Sequence, residues 1–315
     1  MSKYLDPKAD LTFKKVFGEH PNLVLSLLNA LLPLPDGMEI KTVEYLSPEN
    51  IPENPGKKYS IVDVYCTDNH GRHFIVEMQS YWNTEFFSRT LFNAASMYAK
   101  QLDKGKAFGE LKDVYALCLV NDIKAFPKYG DEYIQEYYIT NKNHTSDIRT
   151  DLSMVFIILP NYTPQNRAEK KMHDLWLRFL TEIDENTDDA DPELLANEET
   201  FEALELLRRS AFTPGELLTY NQYWLDISTE KSSLERERME GRLEGEKIGI
   251  ERGRAEGIEQ GRAEGVEQGR AEGIEQGEKQ KAIEMARKLK LKGIMSDEEI
   301  AEITGLTKDE ILTLT

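Results

Sequence analysis

The sequence predicts an α/β protein whose first half is a sheet covered by helices and whose second half is helical. Three observations predict this class. Segments with helical and strand-like spacing of apolar residues alternate between residues 10 and 121 in the order helix, three strands, helix, strand, which is typical of a sheet with helices packed on it. The pattern then becomes helical and acidic over residues 173–240. From Gly241 to Gly277, glycine occupies every fourth position.

The first predicted helix begins at Asp10, because apolar residues recur at roughly helical spacing from there to Leu32. The spacing is interrupted once, between Gly18 and Pro21, so we expect a kink and then a second helix. We expect that second helix to end before Pro33, since proline cannot continue a helix.

The predicted strands are short runs rich in β-branched and aromatic residues. The second and third are separated by the turn-forming sequence Asp-Asn-His-Gly, which predicts a hairpin. A helix over residues 86–102, with Asn83 or Thr84 as its N-cap, connects the third strand to the fourth. The strand-like segments are residues 39–46, 59–67, 72–80, 114–121, 133–140 and 152–159.

Alternation along the second and third strands groups three polar side chains on one face. In the second strand, Asp63 lies on the face opposite Val62 and Val64. In the third strand, Glu77 and Gln79 lie on the face opposite a purely apolar set. Because the apolar sets are expected to face the core, the three polar side chains share the other face.

The hairpin loop sets the register of these two strands. A three-residue loop with Gly71 in the left-handed conformation pairs Asp68 with Arg72. In this register Asp63 lies directly opposite Glu77, with Cβ atoms about 4.5–5.5 Å apart. Two carboxylates this close need a shared proton or a cation between them. Mg²⁺ suits the second case, since one or two carboxylates and a substrate phosphate commonly hold it.

These residues resemble a known catalytic core. Asp63, the hairpin and the Glu77-Met78-Gln79 sequence resemble the D…(D/E)-x-K core of the PD-(D/E)XK nuclease superfamily, in the element order that this superfamily uses. The resemblance implies a PD-(D/E)XK restriction-endonuclease-like core. We expect it to be followed by a helical region, a long glycine-repeat helix and a small C-terminal helical module.

Over most of its length the chain resembles, more closely, the recombination-promoting nuclease/transposase family. The resemblance implies a Mg²⁺-dependent DNA endonuclease, a phosphodiester hydrolase that acts on double-stranded DNA in recombination or in the movement of mobile elements. The segments that carry this resemblance are DPKADLTFKKVFG, LNALL, FIVEMQ, Arg89 on the next helix and ITGLTKDEI.

The resemblance also implies roles for individual residues. Asp63 and Glu77 would hold the metal, with the Met78 carbonyl as a third ligand. Gln79 stands where the superfamily has lysine, and glutamine can orient a water molecule but carries no positive charge. Arg89 is a candidate supplier of that charge.

Other candidate residues have a functional and a structural interpretation. Asp10 is a candidate auxiliary acid near the metal, although the commoner role for an acid at a helix start is N-capping. Lys14 and Lys15 are candidates for contacts with DNA phosphates, although two such lysines are usually solvated surface. Asp63 could instead pair with an arginine at the edge of the core, and Glu77 could belong to the solvated face of an edge strand.

Composition and charge narrow the class of protein. With 40% apolar and 30% charged residues the chain is typical of a globular protein. Its two cysteines lie in apolar runs, which excludes a disulfide scaffold and a cysteine-built zinc site. The charged N-terminus and the lack of an 18-residue apolar window predict a cytoplasmic protein that does not contact membranes. The net charge is −18, but residues 1–128 carry 15 basic and 16 acidic residues, so this part can approach DNA.

The glycine repeat has two interpretations. In a helix, every fourth residue advances by about 400°, so the glycine row drifts around the axis. Each interior glycine costs about 0.5–1 kcal/mol relative to alanine. Close packing in a self-associating helix, as in a coiled coil, would offset this cost. The alternative is a frayed, mobile spacer.

Residues 281–315 predict a small helical module with two capping boxes, Ser296 with Glu299 and Thr307 with Glu310. The glycine-containing turn between them is compatible with a helix-turn-helix, although the acidic first helix favours contact with a protein. Because scission of both DNA strands generally requires two active sites, we expect a homodimer or higher homo-oligomer that forms through the C-terminal helix.

The sequence therefore predicts four regions and leaves two functions open. The first function is the metal-dependent endonuclease. The second is a catalytically degenerate nuclease fold that serves as a DNA- or protein-binding assembly module. The regions are a nuclease-like domain over 1–165, an acidic helical region over 166–240, the glycine repeat over 241–280 and the C-terminal module over 281–315.

Overall fold

A computed structural model describes residues 3–47, 49–50, 60–102, 107–163 and 171–314 of the chain. Contacts within the chain divide it into two compact units, Met1–Ser233 and Leu234–Thr315. The first unit contains a six-stranded sheet with helices, and the second is helical. The predicted α/β class is confirmed, and the finer division into four regions stays a prediction.

The N-terminal helix is interrupted where the sequence predicts. The first helix, α1 (Asp10–Phe13), continues as a π-helical turn over Lys14–Gly18, and α2 (Pro21–Leu31) follows. Pro21 lies in the first turn of α2, where its missing N–H costs no helical hydrogen bond. The helix ends before Pro33, as expected.

The sheet combines antiparallel and parallel strands. Its strands, with one short separate pair, are β1 (Val43–Tyr45), β2 (Glu49–Asn50), β3 (Ser60–Ile61), β4 (Val64–Asp68), β5 (His73–Gln79), β6 (Val114–Val120), β7 (Ile134–Asn141) and β8 (His144–Ile158). The order across the sheet is β1-β4-β5-β6-β8-β7, and β2 pairs with β3 apart from it. Strands β5, β6 and β8 run parallel, whereas the other neighbours in the sheet are antiparallel.

Three of the predicted strands differ from those observed. The strand predicted over 152–159 begins at His144 and is almost twice as long. The segment predicted over 39–46 is a strand only in β1. The strand predicted over 59–67 is divided, because the chain bends between β3 and β4, and only β4 joins the sheet. Residue 59, where that prediction begins, lies outside the described residues.

The bend changes the face on which Val62 lies. Regular alternation places Val62 beside Val64, but Val62 packs with Tyr65 and Ile75 in a second apolar cluster. Val64 belongs to the first cluster. The prediction for Val62 was wrong because alternation holds only along a regular strand.

Both faces of the sheet are covered, so the face predicted to be polar is also a core face. One face packs against the N-terminal helices and against α4 (Lys171–Glu182) and α6 (Glu198–Leu206). The other packs against α3 (Thr84–Lys100). Helix α3 is capped by Asn83, one of the two predicted caps, whose side chain accepts a hydrogen bond from the Phe86 N–H.

The acidic region forms short helices within the first unit. Between α4 and α6 lies α5 (Pro192–Ala196). The partly buried Arg178 of α4 joins this region by ion pairs of 2.7–2.8 Å to three carboxylates, those of Glu182, Asp191 and Glu193. The acidic residues between α4 and α5 are therefore held to α4 by one arginine.

Helix α7 (Pro214–Lys292) begins in the first unit, where it packs on the N-terminal segment. Leu5 and Ala9 are buried against Phe212 and Tyr220. The Tyr220 hydroxyl accepts a hydrogen bond of 3.0 Å from the Asp6 N–H. The start of α7 is thus part of the same folded unit as the sheet.

In the second unit the end of α7 packs against α8 (Asp297–Thr304) and α9 (Lys308–Leu312). Both predicted capping boxes are present. Helix α8 ends at Gly305, which has a φ of 69°. The residues buried between the helices are Ala286, Ile300, Leu306 and Ile311.

The ten glycines of the repeat, Gly241 to Gly277, lie within α7. A Cβ atom at any of these positions would meet no described atom within 4 Å. The apolar residues of the repeat, such as Ile258 and Val266, are exposed. Self-association of this segment stays a prediction.

Among the described helices, none combines the length and the apolar character needed to cross a membrane.

Replacing glycine by alanine within the repeat should stabilise the helix. For the double variant Gly257→Ala/Gly265→Ala we expect a gain of about 1–2 kcal/mol in helix stability, because alanine loses less backbone entropy and meets no clash. Thermal unfolding of the full chain, followed by circular dichroism, measures the change.

The matched control is Gly305→Ala, the same substitution at a left-handed position, which should lower stability by about 1 kcal/mol. A loss of stability in the repeat variant would instead indicate that the glycines pack closely against another chain.

Candidate functional site

Two carboxylates on neighbouring chain segments meet at the end of β5. The register pairs Val64 with Val76, and Gly71 in the hairpin loop has a φ of 76°, both as predicted. Asp63 immediately precedes β4, and continuing the register by this one residue places Asp63 opposite Glu77. The predicted hairpin geometry is therefore confirmed, and it brings these two residues together.

Asp63 is held in place by the backbone of the opposite strand. It lies in the bend that precedes β4, and its Oδ2 accepts a hydrogen bond of 2.7 Å from the Met78 N–H. The Met78 N–H of β5 thus donates to a side chain and not to a backbone carbonyl of the neighbouring strand. The bend that divides the predicted strand is what allows Asp63 to reach this donor.

The Met78 carbonyl points to the same side as Asp63. The N–H of His73 donates to Asp113 and the carbonyl of Gln79 accepts from Asn121, so the odd-numbered residues of β5 bond to the β6 side. In a strand, the N–H and C=O of one residue point to the same neighbour. Because the Met78 N–H bonds to Asp63, its carbonyl faces that side too.

Glu77 is buried between the sheet and α3. It is 7% exposed, and its Oε1 accepts a hydrogen bond of 3.4 Å from the Asn93 Nδ2 of α3. Burial raises the pKa of Glu77, and the charge of Asp63 raises it further. Burial also raises the pKa of Asp63. The two carboxylates therefore interact unfavourably when both are ionised.

Two basic side chains partly balance this charge. The charges of Lys14 and Arg89 lower the pKa values of both carboxyl groups, against the larger effect of burial. The Lys14 Nζ lies 3.9 Å from the Asp63 Oδ1 and 2.6 Å from the Asp10 Oδ1. One lysine and one arginine are thus present at the site, but among the described residues neither forms a short ion pair with Asp63 or Glu77.

Asp10 lies at the edge of this cluster. It is the first residue of α1, and Ala9 is the N-cap, so the helix-cap interpretation does not hold. The ion pair with Lys14 keeps its side chain near the site, and its charge contributes to the raised pKa of Asp63.

Gln79 binds Arg89 directly. The Arg89 Nη2 donates a hydrogen bond of 2.8 Å to the Gln79 Oε1, and the Gln79 Nε2 donates one of 2.8 Å to the Tyr81 carbonyl. The guanidinium also lies 5.0 Å from the centre of the Phe86 ring. A positive charge from α3 therefore stands beside the position at which the superfamily carries a lysine.

Lys15 is directed elsewhere. Its Nζ donates a hydrogen bond of 3.1 Å to the Ala211 carbonyl, lies over the Phe212 ring and approaches Glu216. Only 18% of its side chain is exposed. The structure does not bring Lys15 together with the two carboxylates.

The structure adds Asn93 to the residues found from sequence. Arg89 and Asn93 are one helical turn apart, and they contact Gln79 and Glu77, which lie two residues apart on one strand face. Asn93 is 1% exposed, and its Oδ1 has no hydrogen-bond partner among the described atoms. The spacing of four residues from Arg89 is the sequence signal that could have identified it.

These groups fit a hard divalent cation. The described residues include no cluster of three or more His, Cys, Asp or Glu side chains placed to hold a metal, so carboxylates alone do not complete a site. The two carboxylates, the Met78 carbonyl and the unpartnered Asn93 Oδ1 form a set of oxygen donors, the type that Mg²⁺ prefers. A cation there would also relieve the repulsion between Asp63 and Glu77.

A comparison with models of protein families identifies the family of this chain. The sequence model of a family described as PD-(D/E)XK nuclease family transposase matches residues 7–236. That range includes the whole sheet, the site and the start of α7. Comparisons with curated proteins and with solved structures give no significant match.

Replacing Glu77 by glutamine should stabilise the protein in the absence of divalent cations. Glu77→Gln keeps the shape but removes one of two buried, mutually repelling charges, so in EDTA at alkaline pH we expect a gain of about 1–3 kcal/mol in the free energy of unfolding. Thermal or urea unfolding measures it.

The gain in stability from Glu77→Gln should depend on pH. A carboxyl group with a raised pKa in the folded state binds its proton more tightly than in the unfolded chain, so its contribution to stability is present at low pH and lost as the pH rises through the folded-state value. The gain from Glu77→Gln should therefore grow with pH. Glu85→Gln, at an exposed carboxylate of α3, is the control and should show no gain. A wild type more stable than Glu77→Gln at alkaline pH would contradict the repulsion.

Proposed function

The chain belongs to the PD-(D/E)XK nuclease family transposases, and from this premise we propose that it is a Mg²⁺-dependent endonuclease that hydrolyses phosphodiester bonds of double-stranded DNA. The observation that carries the proposal is the pair of buried carboxylates, Asp63 and Glu77, which repel each other, with the unpartnered Oδ1 of Asn93 on the residue that contacts Glu77. Such a pair is stable as a pair of anions only with a cation.

Three groups of this chain would hold the metal, namely the carboxylates of Asp63 and Glu77 and the carbonyl of Met78. When bound there, Mg²⁺ supplies a Lewis acid for the scissile phosphate and lowers the pKa of a water molecule. The protein prepares the site by fixing Asp63 on the Met78 N–H and Glu77 on Asn93. These hydrogen bonds hold both carboxylates before DNA arrives, so little reorganisation is needed.

Arg89 would supply the positive charge that the sequence lacks at position 79. The Gln79 side-chain oxygen accepts a hydrogen bond from the Arg89 guanidinium. Gln79 therefore positions the positive charge, which Arg89 carries. A guanidinium can donate two parallel hydrogen bonds to phosphate oxygens. We therefore assign to Arg89 the stabilisation of negative charge on the scissile phosphate.

Lys14 and Asp10 would act at the rim of the site. The side chain of Lys14 is 40% exposed, which lets it turn from Asp10 to a DNA phosphate. We assign the phosphate contact predicted for the two lysines to Lys14, because Lys15 is held by the Ala211 carbonyl and by Glu216 in the first turn of α7. Asp10, paired with Lys14, would act as the auxiliary acid near the metal.

The wider biological setting follows from the family. A nuclease of a transposase family acts in recombination or in the movement of DNA, which we propose for this chain, in the cytoplasm. Cleavage of both strands would be served by a homodimer through the C-terminal helix, whose exposed repeat leaves room for a second copy.

Cleavage of plasmid DNA tests this function directly. We expect the purified wild type to nick or linearise plasmid with Mg²⁺ or Mn²⁺ and not in EDTA. Asp63→Asn and Glu77→Gln should lower the rate at least about 100-fold, because each removes a metal ligand. Gel analysis of the products over time measures the rates, with Glu85→Gln as the active control.

Two outcomes would contradict the proposal. Unchanged cleavage by Asp63→Asn would assign the activity to another site or to a contaminant. A wild type that neither cuts DNA nor binds a divalent cation would favour the degenerate nuclease fold that acts as a binding module.

An exchange of charges tests the role of Arg89. Gln79→Lys alone should lower the rate about 10-fold or more, because it places an ammonium against the guanidinium at the distance of a hydrogen bond. Arg89→Gln alone should lower the rate as well. The double variant Gln79→Lys/Arg89→Gln should recover part of the lost activity, since it returns one positive charge to the strand. If the double variant were no more active than either single variant, Arg89 would have another role.

A further inference from the structure

The segment that follows β5 joins the site to the start of α7. Both ends of the Gln79 amide are engaged, the oxygen by Arg89 and the Nε2 by the Tyr81 carbonyl. Because the amide donates at one end and accepts at the other, the Tyr81 carbonyl sets which way Gln79 points. The position of Arg89 thus depends on where residues 80–81 lie.

Helix α7 holds these two residues. The Ser80 Oγ and the Tyr223 hydroxyl are 2.7 Å apart, and the Tyr81 hydroxyl donates a hydrogen bond to the Glu230 carboxylate. Tyr223 and Glu230 are two turns apart on α7, and their partners are adjacent in the chain. Two side chains of one helix therefore fix two consecutive residues beyond the end of β5.

Tyr223 is itself fixed. Its hydroxyl donates to the Lys8 carbonyl at 3.4 Å, and since a phenol has one hydrogen, the Ser80 hydroxyl is then the donor in the shorter contact. Its ring packs in the cluster of Leu5 and Tyr220. Burial raises its pKa to about 12, and the charges of Asp10 and Asp63 contribute. The phenol therefore stays protonated and keeps its hydrogen for the hydrogen bond to the Lys8 carbonyl.

We propose that Tyr223, together with Glu230, is a positioning residue for the nuclease reaction, which acts through Ser80, Tyr81 and Gln79 to hold the Arg89 guanidinium beside the metal-binding carboxylates. This inference rests on the proposed function. It makes the first turns of α7 a working part of the site, although they follow β5 by more than 130 residues in the chain.

The contacts explain why these turns belong to the nuclease unit. Both the compact first unit, which ends at Ser233, and the family match, which ends at residue 236, include Tyr223 and Glu230 and stop before the glycine repeat. A helix that served only as a connection to the second unit would not need polar side chains directed at the end of β5.

The test is a kinetic comparison in the full chain. Tyr223→Phe removes only the hydroxyl. We expect kcat for DNA cleavage to fall about 5- to 20-fold with KM within twofold, and the Kd for Mg²⁺, measured by titration calorimetry, to stay within twofold. The matched control is Tyr220→Phe, one turn earlier on α7, whose hydroxyl binds the Asp6 N–H instead. Tyr220→Phe should lower the thermal stability about as much as Tyr223→Phe does and should keep the wild-type kcat.

A double-mutant cycle shows whether Tyr223 acts through Arg89. Arg89→Lys keeps a charge but loses the guanidinium geometry, and single-turnover assays with excess enzyme follow even slow cleavage. If Tyr223 acts through Arg89, Tyr223→Phe should change the rate less than twofold in the Arg89→Lys background. A second variant, Glu230→Gln, keeps an acceptor for Tyr81 and should retain activity, whereas Glu230→Ala should lower kcat.

The outcomes separate this inference from the function on which it rests. A wild type without metal-dependent cleavage would overturn the proposed function. A wild type that cleaves, with a Tyr223→Phe variant of unchanged kcat, would overturn the positioning role alone. Additive effects of Tyr223→Phe and Arg89→Lys, or an equal loss of kcat in Tyr220→Phe, would also overturn it.

Discussion

Two carboxylates buried side by side are the constraint on which the rest of the site depends. Asp63 and Glu77 lie opposite each other in the register of β4 and β5, and burial raises both pKa values. Neither has a short ion pair among the described side chains, so a protein at neutral pH retains this arrangement at a cost in stability. We propose that a divalent cation, bound by these carboxylates beside the Met78 carbonyl, offsets that cost.

The surrounding elements serve this pair in different ways. The hairpin with Gly71 sets the register, and the bend lets Asp63 reach the Met78 N–H. Helix α3 contacts the strand twice, through Asn93 on Glu77 and Arg89 on Gln79. The positive charge is thus carried by Arg89 of α3 and not by residue 79 of the strand. Because Arg89 reaches the site from a neighbouring helix, its guanidinium needs further contacts to hold its position. The start of α7, through the segment after β5, is where the structure offers that support.

Much of this could be predicted from the sequence, because the deciding features are local. Strand alternation and a glycine-containing loop suffice to pair Asp63 with Glu77, and capping boxes such as Ser296 with Glu299 define helix starts. The sequence failed where a regular pattern breaks or a contact is distant. Alternation could not show that the bend moves Val62 to the other face. No local signal connects Tyr223 to Ser80, and none separates Lys14 from its neighbour Lys15, whose partners lie near residue 211.

The most direct test of the central claim is the position of a bound metal. Crystals of the wild type soaked with Mn²⁺ would be examined by anomalous scattering. We expect one peak about 2.0–2.3 Å from a carboxylate oxygen of both Asp63 and Glu77, within reach of the Met78 carbonyl, and no such peak in Glu77→Gln. A peak elsewhere, or a structure in which Lys14 neutralises Asp63 and no metal binds between the two carboxylates, would contradict the account.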